Sequence, residues 1–305
     1  MNTMTEQEIE QLIATGKKSW FSASYSVNMP ESLIEKNIHN MRWMDIVGNQ
    51  ILSESFIEKY GDELDWYSIS TSQPLSEPFI EKHMKKLWML AICGNQNLSE
   101  EFITKNLDSI YWYELILDQE LSEDFLDKHS NKNIYNYHWY AVFRYHKFSM
   151  DFIEKYYTNI SLRHLYRYQK LSEEFREKHN LEIPIHNWLY ATKEEKLEYI
   201  KKNTSYEIID DEYLLAYKST RFNGYSTYNF RYQYKVGETY ESNCDYNLYE
   251  TDSFGLSAWD EDGAKDHWPN GELYKVRIDI DDIGAIVYEW NKIRCTKLTV
   301  LERIK

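Results

Sequence analysis

Cysteine is scarce in this 305-residue chain, and the three that occur, Cys93, Cys244 and Cys295, lie far apart without a CxxC pair. This spacing argues against disulfides and against a zinc site, so we interpret them as reduced, buried thiols of a cytoplasmic protein. The N-terminus lacks the basic start and the apolar segment of a signal peptide. Because no apolar run approaches the length of a bilayer and the mean hydropathy is −0.69, we expect no membrane contact.

Positive charge is also in short supply, since 35 Lys and Arg residues stand against 50 Asp and Glu residues, for a formal charge of −15. A surface of this sign repels nucleic acid, so we expect no direct binding to it. The charge would suit a basic partner, or a protein whose basic groove otherwise holds nucleic acid. Acidity can also serve solubility alone.

A 23-residue repeat fills the first part of the chain. Two consecutive copies from residue 52 read "LSESFIEKYGDELDWYSISTSQP" and "LSEPFIEKHMKKLWMLAICGNQN". One step is 27 residues long, with four extra residues within "HSNKNIYNYHW". The units begin at Met29, Leu52, Leu75, Leu98, Leu121, Phe148 and Leu171. Since one unit cannot bury its apolar face alone, residues 1–190 are predicted to form an α-solenoid of seven or eight helix–turn–helix units.

Each unit divides into two short helices. A serine is predicted to cap the first helix, a Glu follows at the positive end of the helix dipole, and a lysine ends the helix. The serines are Ser53, Ser76, Ser99, Ser122, Ser149 and Ser172. The second helix carries a large apolar residue, usually Trp, and an aliphatic residue three positions later. Gly48 and Gly94 are expected to be left-handed C-caps of second helices.

Three side-chain series invite a functional or a structural interpretation. The Trp series could stack on ligands, but its offset from an aliphatic residue favours a role in the core. The Lys series could form a basic stripe, but alternation with Glu favours a solvated helix end. The third series is expected to tie the backbone of one unit to the next, and it consists of Gln50, Gln73, Gln96, Gln119 and Gln169.

No series contains a nucleophile–base pair or the spacing of metal ligands, so we interpret the solenoid as a binding surface and expect no metal or other cofactor. Tyrosine, with 27 residues in the chain, gives large contact area at low entropic cost. The residues expected to contact a partner are Tyr67, His83, Tyr113, His129, Tyr140, Tyr156 and Trp259.

The period of the sequence becomes strand-like after a linker helix over residues 191–204, which opens with a capping box at Thr192 and Glu195. The segment "YSTYNFRYQYKVGETY" predicts a strand that ends at Gly237, with alternate residues on one face. Further strands are expected in "ELYKVRIDI", "AIVYEWNKIRC" and "KLTVLERI", and a short helix in "DEDGAKDHW". Residues 205–305 therefore predict a β-rich α+β domain of five or six strands, and the whole chain an α+β protein of two domains.

Two resemblances add to this interpretation. The repeat, of which "LSEPFIEKH" is one copy, resembles helical repeats found in arrays of phage and large-virus proteins. The tail segments "YKVGETYE", "SFGLSAW", "GELYKVRIDIDDI" and "KIRCTKLTVL" are similar to an uncharacterised domain of phage-encoded proteins. The combination implies a phage or prophage origin and a place in the cytoplasm of a bacterial host. We therefore expect a non-enzymatic protein that binds and inhibits a host defence protein or complex.

A third resemblance concerns chemistry. The segment "SFGLSAWDEDGAKDHWPNGELYKVRI" is similar to the middle of ADP-ribosyltransferase-like folds. This likeness implies a first core strand with Tyr217 and Lys218, a second strand with Ser253 and Ser257, and Glu272 as the catalytic carboxylate. The alternative functions are thus ADP-ribosyl transfer or binding of a nucleotide without turnover. The structural alternative is that Ser257 and Trp259 only belong to the end of a strand.

Overall fold

The computed structural model of this chain describes residues 4–129, 139–182, 188–251, 253–287 and 291–304. They form a series of short helices followed by an antiparallel sheet, which confirms the predicted α+β class. One large hydrophobic core extends through the helical part, from Ile9 to Phe175. A second large core lies in the β-rich part, between Trp188 and Val300.

The described helical part contains seven helix pairs and one closing helix, in line with the predicted seven or eight units. The first helices are α1 (Glu6–Ala14), α3 (Glu31–Lys36), α5 (Glu54–Lys59), α7 (Glu77–His83), α9 (Glu100–Lys105), α11 (Glu123–His129), α13 (Met150–Tyr156) and α15 (Glu173–Lys178). The second helices are α2 (Trp20–Ser26), α4 (Trp43–Asn49), α6 (Trp66–Ser72), α8 (Met89–Asn95), α10 (Trp112–Asp118), α12 (Trp139–Tyr145) and α14 (Leu162–Tyr168). The four extra residues predicted within "HSNKNIYNYHW" fall between α11 and α12, outside the described residues.

Serine caps the first helices as predicted. In α5 the Ser53 hydroxyl accepts a hydrogen bond from Phe56 N at 3.2 Å, which satisfies a backbone donor that the helix itself cannot pair. The same bond forms at Ser76, Ser99, Ser122, Ser149 and Ser172. The predicted capping box at Thr192 and Glu195 is also present.

The prediction of left-handed C-caps at Gly48 and Gly94 is wrong. Both glycines lie inside their helices, one position before the last helical residue, and neither has a positive φ. The chain leaves each helix at the next glutamine instead, where Gln50 and Gln96 have extended backbone with ψ of 147° and 157°. A C-cap glycine is not needed, because the glutamine side chain pairs the backbone of the turns.

The glutamine series ties neighbouring units together, as predicted. Gln73 is buried, its Oε1 accepts a hydrogen bond from Leu52 N at 2.8 Å, and its Nε2 donates to Val47 O at 2.6 Å and to Gln50 O at 2.7 Å. These bonds satisfy backbone groups that stacking of the units would otherwise bury unpaired. Hydrogen bonds to the preceding unit recur at Gln50, Gln96, Gln119 and Gln169.

Two other side chains make contacts of this kind between units where glutamine is missing. The Nε2 atom of His146 lies 2.8 Å from Ile116 O, and burial lowers the pKa of this imidazole to about 4, so it is neutral at pH 7. At the end of the array, the Tyr190 hydroxyl accepts from Leu171 N at 3.3 Å and donates to Gln169 O at 3.0 Å. The tie between units therefore continues through a His and ends with a Tyr.

Charged side chains add a second set of contacts between units. Glu54 accepts hydrogen bonds from Ser76 N at 2.6 Å and from Ser76 Oγ at 3.1 Å, one unit further along the chain. The lysines form exposed ion pairs with the preceding unit, such as Lys82 with Glu58 at 2.6 Å. Such exposed pairs contribute little to stability, and the lysines are solvated helix ends, as predicted.

The Trp series lies in the core, as predicted. Trp43, Trp66 and Trp112 are half-buried and pack against the helical core, and Trp139 is buried. The Trp66 ring lies 6.3 Å from the Phe79 ring of the following unit, and its Nε1 donates to Gly61 O at 2.8 Å. These contacts place the Trp66 ring in the packing between units.

The C-terminal part is an antiparallel sheet with the strand order β3-β8-β5-β2-β4-β7-β6, and β1 pairs with β2. The strands are β1 (Glu207–Ile209), β2 (Tyr213–Thr220), β3 (Thr239–Glu241), β4 (Leu256–Trp259), β5 (Glu272–Asp279), β6 (Ile283–Val287), β7 (Lys292–Cys295) and β8 (Lys297–Arg303). The described residues thus hold eight strands, more than the five or six predicted. The short helix predicted in "DEDGAKDHW" is confirmed as α17 (Glu261–His267).

The strand predicted in "YSTYNFRYQYKVGETY" up to Gly237 is wrong, and β3 begins only after it, at Thr239. The Tyr234 N–H bonds to Gly224 O at 2.8 Å, so the chain folds back on itself rather than joining the sheet. Gly224 permits this approach, because its φ is +78° and a Cβ there would lie 2.4 Å from Tyr234 O. The alternating side chains share no face, since Phe230 and Tyr234 are buried whereas Tyr228 is 61% exposed.

The linker helix predicted over residues 191–204 is confirmed as α16 (Lys193–Asn203), and it packs on the sheet. Its Ile200 is fully buried in the core of the β-rich part. The buried Lys196 Nζ donates to Asp281 O at 2.9 Å and to Ile283 O at 2.8 Å. The helix therefore fixes the sheet in place rather than acting as a free spacer.

Candidate functional site

The sheet part lies along the C-terminal ends of the second helices. Phe230 N donates to Asn95 O, at the end of α8, at 2.8 Å. Arg231 pairs with Glu120, just after α10, at 3.4 Å, and the Tyr232 hydroxyl donates to the same carboxylate at 2.8 Å. These polar contacts hold a cleft between the helical array and the sheet.

A cavity of about 860 Å³ occupies this cleft. Asp118 at the end of α10 and His146 just after α12 belong to the helical wall, whereas Lys218, Ser257 and Lys292 belong to the sheet wall. Pockets that enclose small molecules have volumes of about 300–1,000 Å³. The cavity is therefore large enough for a small organic ligand.

The sheet wall of the cavity contains a fork between two strands. Strands β2 and β4 pair at a single position, where Tyr217 is opposite Trp259, while β4 pairs along its whole length with β7 on its other side. In that second pairing Trp259 is opposite Lys292. The register therefore brings Lys218, next to Tyr217, and Lys292 to the same indole, that of Trp259.

Lys218 is a buried cation with only 2% of its surface exposed. Its Nζ lies 5.2 Å from the centre of the Tyr234 ring and 5.4 Å from that of Trp259, and within the described residues it forms no hydrogen bond or ion pair. Burial lowers the pKa of this ammonium to about 8, with the charge of Lys292 acting in the same direction. Lys218 is consequently still mostly protonated at pH 7, held only by ring faces.

Two further groups complete the surroundings of the indole. Lys292 Nζ lies 5.7 Å from the centre of the Trp259 ring and donates to Thr251 O at 3.2 Å. The His267 imidazole stacks on Trp259 with 4.2 Å between ring centres, and burial and the two lysines lower its pKa to about 4. A neutral imidazole thus adds no positive charge beside the two ammonium groups.

Acidic groups also line the cavity, mostly in pairs. Glu241 forms an ion pair with Lys297 at 2.6 Å, and Asp282 accepts a hydrogen bond from the Thr296 hydroxyl at 3.2 Å. Asp118 is desolvated on the helical wall, which raises its pKa to about 6. The cavity thus has a cationic sheet wall and an acceptor on the helical wall.

The five residues implied by the ADP-ribosyltransferase likeness do not line one cavity. Lys218, Ser253 and Ser257 line the large cavity, whereas Glu272 lines a separate one of about 550 Å³. Glu272 is buried, accepts a hydrogen bond from the Tyr274 hydroxyl at 2.7 Å and pairs with Arg303 at 3.0 Å. Tyr217 is half-buried and packs with Trp259 against α17.

The residues expected to contact a partner divide into two groups. The His83 ring packs against Trp66 with 4.9 Å between ring centres, and Tyr156 stacks on Trp139 at 4.6 Å, so both pack between units. His129 and Trp259 are also buried. The other three residues are exposed, with fractions of 55%, 49% and 41% at Tyr67, Tyr113 and Tyr140.

These three tyrosines share one register, the position directly after the first residue of a second helix. Large side chains occupy this position in six successive second helices, and five of them are exposed. We call this set the second-helix stripe, and its members are Phe21, Met44, Tyr67, Leu90, Tyr113 and Tyr140. Trp88 and Tyr111, the residues before α8 and α10, are exposed beside it.

Within the described part of the chain, no three His, Cys, Asp or Glu side chains are grouped in a way that would hold a metal ion. None of the described helices has the length and apolar character needed to cross a bilayer. Comparison with protein-family models, with curated proteins and with solved structures finds no match to this chain. The function must therefore be argued from the residues themselves.

Sequence reasoning missed part of both candidate surfaces. Phe21 and Met44 were identifiable, because each follows Trp20 or Trp43 in the same register as the tyrosines. The role of Lys292 was not, because only the order of the strands brings it to the same indole as Lys218.

Proposed function

We propose that this chain is a non-enzymatic binding protein that holds a basic protein partner on its second-helix stripe. The observation that carries the proposal is the exposure of large apolar side chains at one register of successive second helices. Scattered apolar residues are normal on a protein surface, but an ordered row of them is typical of an interaction site. Tyr and Met are also side chains that protein interfaces favour.

Packing with the next unit covers these side chains only in part. The Tyr67 ring lies 4.7 Å from the Trp88 ring and the Tyr140 hydroxyl 3.1 Å from that of Tyr168, yet both tyrosines remain exposed. The tryptophan that precedes Met44, Tyr67 and Tyr113 in sequence already fills the space between units, and its neighbours contact solvent. The formal charge of −15 supports a basic partner, since opposite charge speeds encounter and excludes wrong partners.

The narrower form of this proposal is a phage-encoded inhibitor of a bacterial defence protein or complex, one with a basic groove for nucleic acid. Its support is the resemblance of the repeat and of the tail to phage proteins, together with the charge. ADP-ribosyl transfer is the weaker alternative, because Glu272 is paired with Arg303 and lies apart from Lys218 and Ser257. Incubation with labelled NAD and host lysate tests that alternative directly.

Quantitative affinity capture from a bacterial lysate tests the proposal. The variant Tyr67→Ser/Tyr113→Ser/Tyr140→Ser should lose most of each specifically retained protein, whereas the control Tyr249→Ser, at an exposed tyrosine of the sheet part, should retain it. Retention by the wild-type chain should weaken as salt rises from about 0.05 to 0.3 M, where the Debye length shortens. Equal retention by the triple variant and the wild-type chain would contradict the proposal.

A further inference from the structure

The large cavity is separate from the second-helix stripe and has features of a ligand site. It lies between two structural parts, a common place for small-molecule sites, and encloses about 860 Å³. Tyr234 on its wall is buried, and Tyr232 stacks beside it with 6.1 Å between ring centres. Tyr228, on the wall as well, is 61% exposed. Three tyrosine rings thus form part of the cavity wall.

Lys218 is difficult to explain as a structural residue. A buried ammonium normally has a carboxylate or several carbonyl oxygens around it, because desolvation of an unpaired charge is costly. Within the same chain, buried Lys196 follows that rule with two carbonyl acceptors, whereas Lys218 has ring faces alone among the described residues. The missing counter-charge would therefore come from outside the chain.

Lys292 also indicates that an anion from outside the chain belongs in the cavity. Both ammonium groups lie within 6 Å of the centre of one indole ring and line the same cavity, so they repel each other. An anion between them would relieve the repulsion and give Lys218 its partner. The chain otherwise carries a formal charge of −15, so a local excess of cations at a cavity wall is not a general property of its surface.

We propose that this cavity binds a small organic phosphate, with the phosphate at Lys218 and Lys292 and an aromatic ring along the tyrosine wall. Phosphate fits the pair of ammonium groups, since charge-assisted hydrogen bonds to phosphate are among the strong ones. Asp118 on the helical wall provides an acceptor for an N–H group of the ring. The proposal concerns a site on the sheet wall and does not depend on the stripe or on its partner.

Isothermal titration calorimetry with three probes tests the site on the intact chain at pH 7. Adenosine 5′-monophosphate carries both features, whereas inorganic phosphate and adenosine carry one each. We expect saturable binding of the monophosphate, and affinity at least about tenfold lower for each of the other two, as expected when a charge-assisted bond or a stacked ring is lost. Affinity for inorganic phosphate or for adenosine equal to that for the monophosphate, or no heat with the monophosphate at millimolar concentration, would overturn the proposal.

Substitutions locate the bound phosphate. Lys218→Met keeps the length of the side chain and removes the charge, so affinity for the monophosphate should fall at least about tenfold. Lys265→Met is the matched control, because that lysine is exposed on α17 and pairs with Glu261 at 2.6 Å outside the cavity. Thermal unfolding without ligand shows that each variant is folded. If a folded Lys218→Met variant binds the monophosphate as tightly as the wild-type chain, the site is not the one proposed.

Discussion

At the residue scale, single buried polar side chains determine how the repeat units join. A polar group inside a protein contributes to stability only when it is paired, and an unpaired one costs more than a pair gains. Gln73 pairs three backbone groups of the preceding turn, between α4 and α5, with one side chain. Lys218 is the opposite case, because its buried charge has no partner among the described residues.

Replacement of Gln73 should destabilise the array. Gln73→Ala removes three hydrogen bonds and leaves Leu52 N, Val47 O and Gln50 O buried without a partner, so we expect a loss of about 2–4 kcal/mol. The shift of the urea unfolding midpoint measures this loss. Gln7→Ala, at an exposed glutamine of α1, is the control and should change stability by less than about 0.5 kcal/mol. Similar midpoints for the two variants would contradict the role of the glutamine tie.

Replacement of Lys218 should stabilise the protein, whereas replacement of Gln73 should destabilise it. Its pKa is lowered to about 8 in the folded chain from 10.5, so the unfolded chain binds more protons between pH 8 and 10.5. The wild-type chain therefore gains stability as pH rises through that window, and it carries the full penalty below pH 8. We expect Lys218→Met to be more stable than the wild-type chain by about 1–3 kcal/mol at pH 7.

The pH dependence provides the check on this prediction. Thermal unfolding of both chains between pH 7 and 10 should show a difference that is constant up to about pH 8 and then narrows. Other titrating groups are common to both chains and cancel in the comparison. A variant that is less stable at pH 7, or a difference that widens with pH, would show that Lys218 has a partner in the free protein.

At the element scale, the repeat made most of the helical part predictable. Serine caps, the apolar positions of each unit and the glutamine series recur every 23 residues, so a weak signal in one unit is confirmed by its neighbours. The C-terminal part has no such redundancy. The alternating pattern of Tyr228, Phe230, Tyr232 and Tyr234 satisfies the rule for a strand, yet the backbone bond from Tyr234 to Gly224 forms a loop instead.

The candidate site was less predictable from the sequence than the fold, because tertiary structure brings its residues together. Lys218 and Lys292 meet because β4 lies between β2 and β7, and strand order is a tertiary property without a local signal. The exposed tyrosines of the stripe, in contrast, follow from helical register. His83, His129 and Tyr156 also vary from unit to unit, but they turn inward, where their rings pack against Trp66, Trp112 and Trp139.

A cap substitution tests how far each element depends on its neighbour. The Ser99 hydroxyl accepts from Phe102 N at 3.1 Å and also donates to Glu77 in the preceding unit at 3.1 Å. Ser99→Ala should therefore cost about 1–2 kcal/mol, at the upper end for an N-cap, while Ser99→Thr should retain most of the stability. Urea unfolding of the three chains gives the comparison. Equal losses in both variants would show that packing, and not the hydroxyl, determines the effect.

At the scale of the whole molecule, the two parts present two different surfaces. The helical array shows a row of exposed aromatic and apolar side chains, and the cleft between array and sheet shows a cationic wall. The contacts from Phe230 to Asn95 and from Arg231 to Glu120 keep the sheet against the ends of the second helices. Because the stripe and the cavity use different residues, each proposed activity can be lost without the other.

Hydroxyl-radical footprinting of the intact chain, read residue by residue by mass spectrometry, tests the central claim about the second-helix stripe most directly. The account predicts strong labelling of Met44, Tyr67 and Tyr113, because their side chains contact solvent, and weak labelling of the buried Tyr234. The labelling of the half-buried Trp66, corrected for the intrinsic reactivity of the side chain, should lie between that of the exposed residues and that of Tyr234. Labelling of Tyr67 and Tyr113 as weak as that of Tyr234, with Trp66 strongly labelled, would contradict the account.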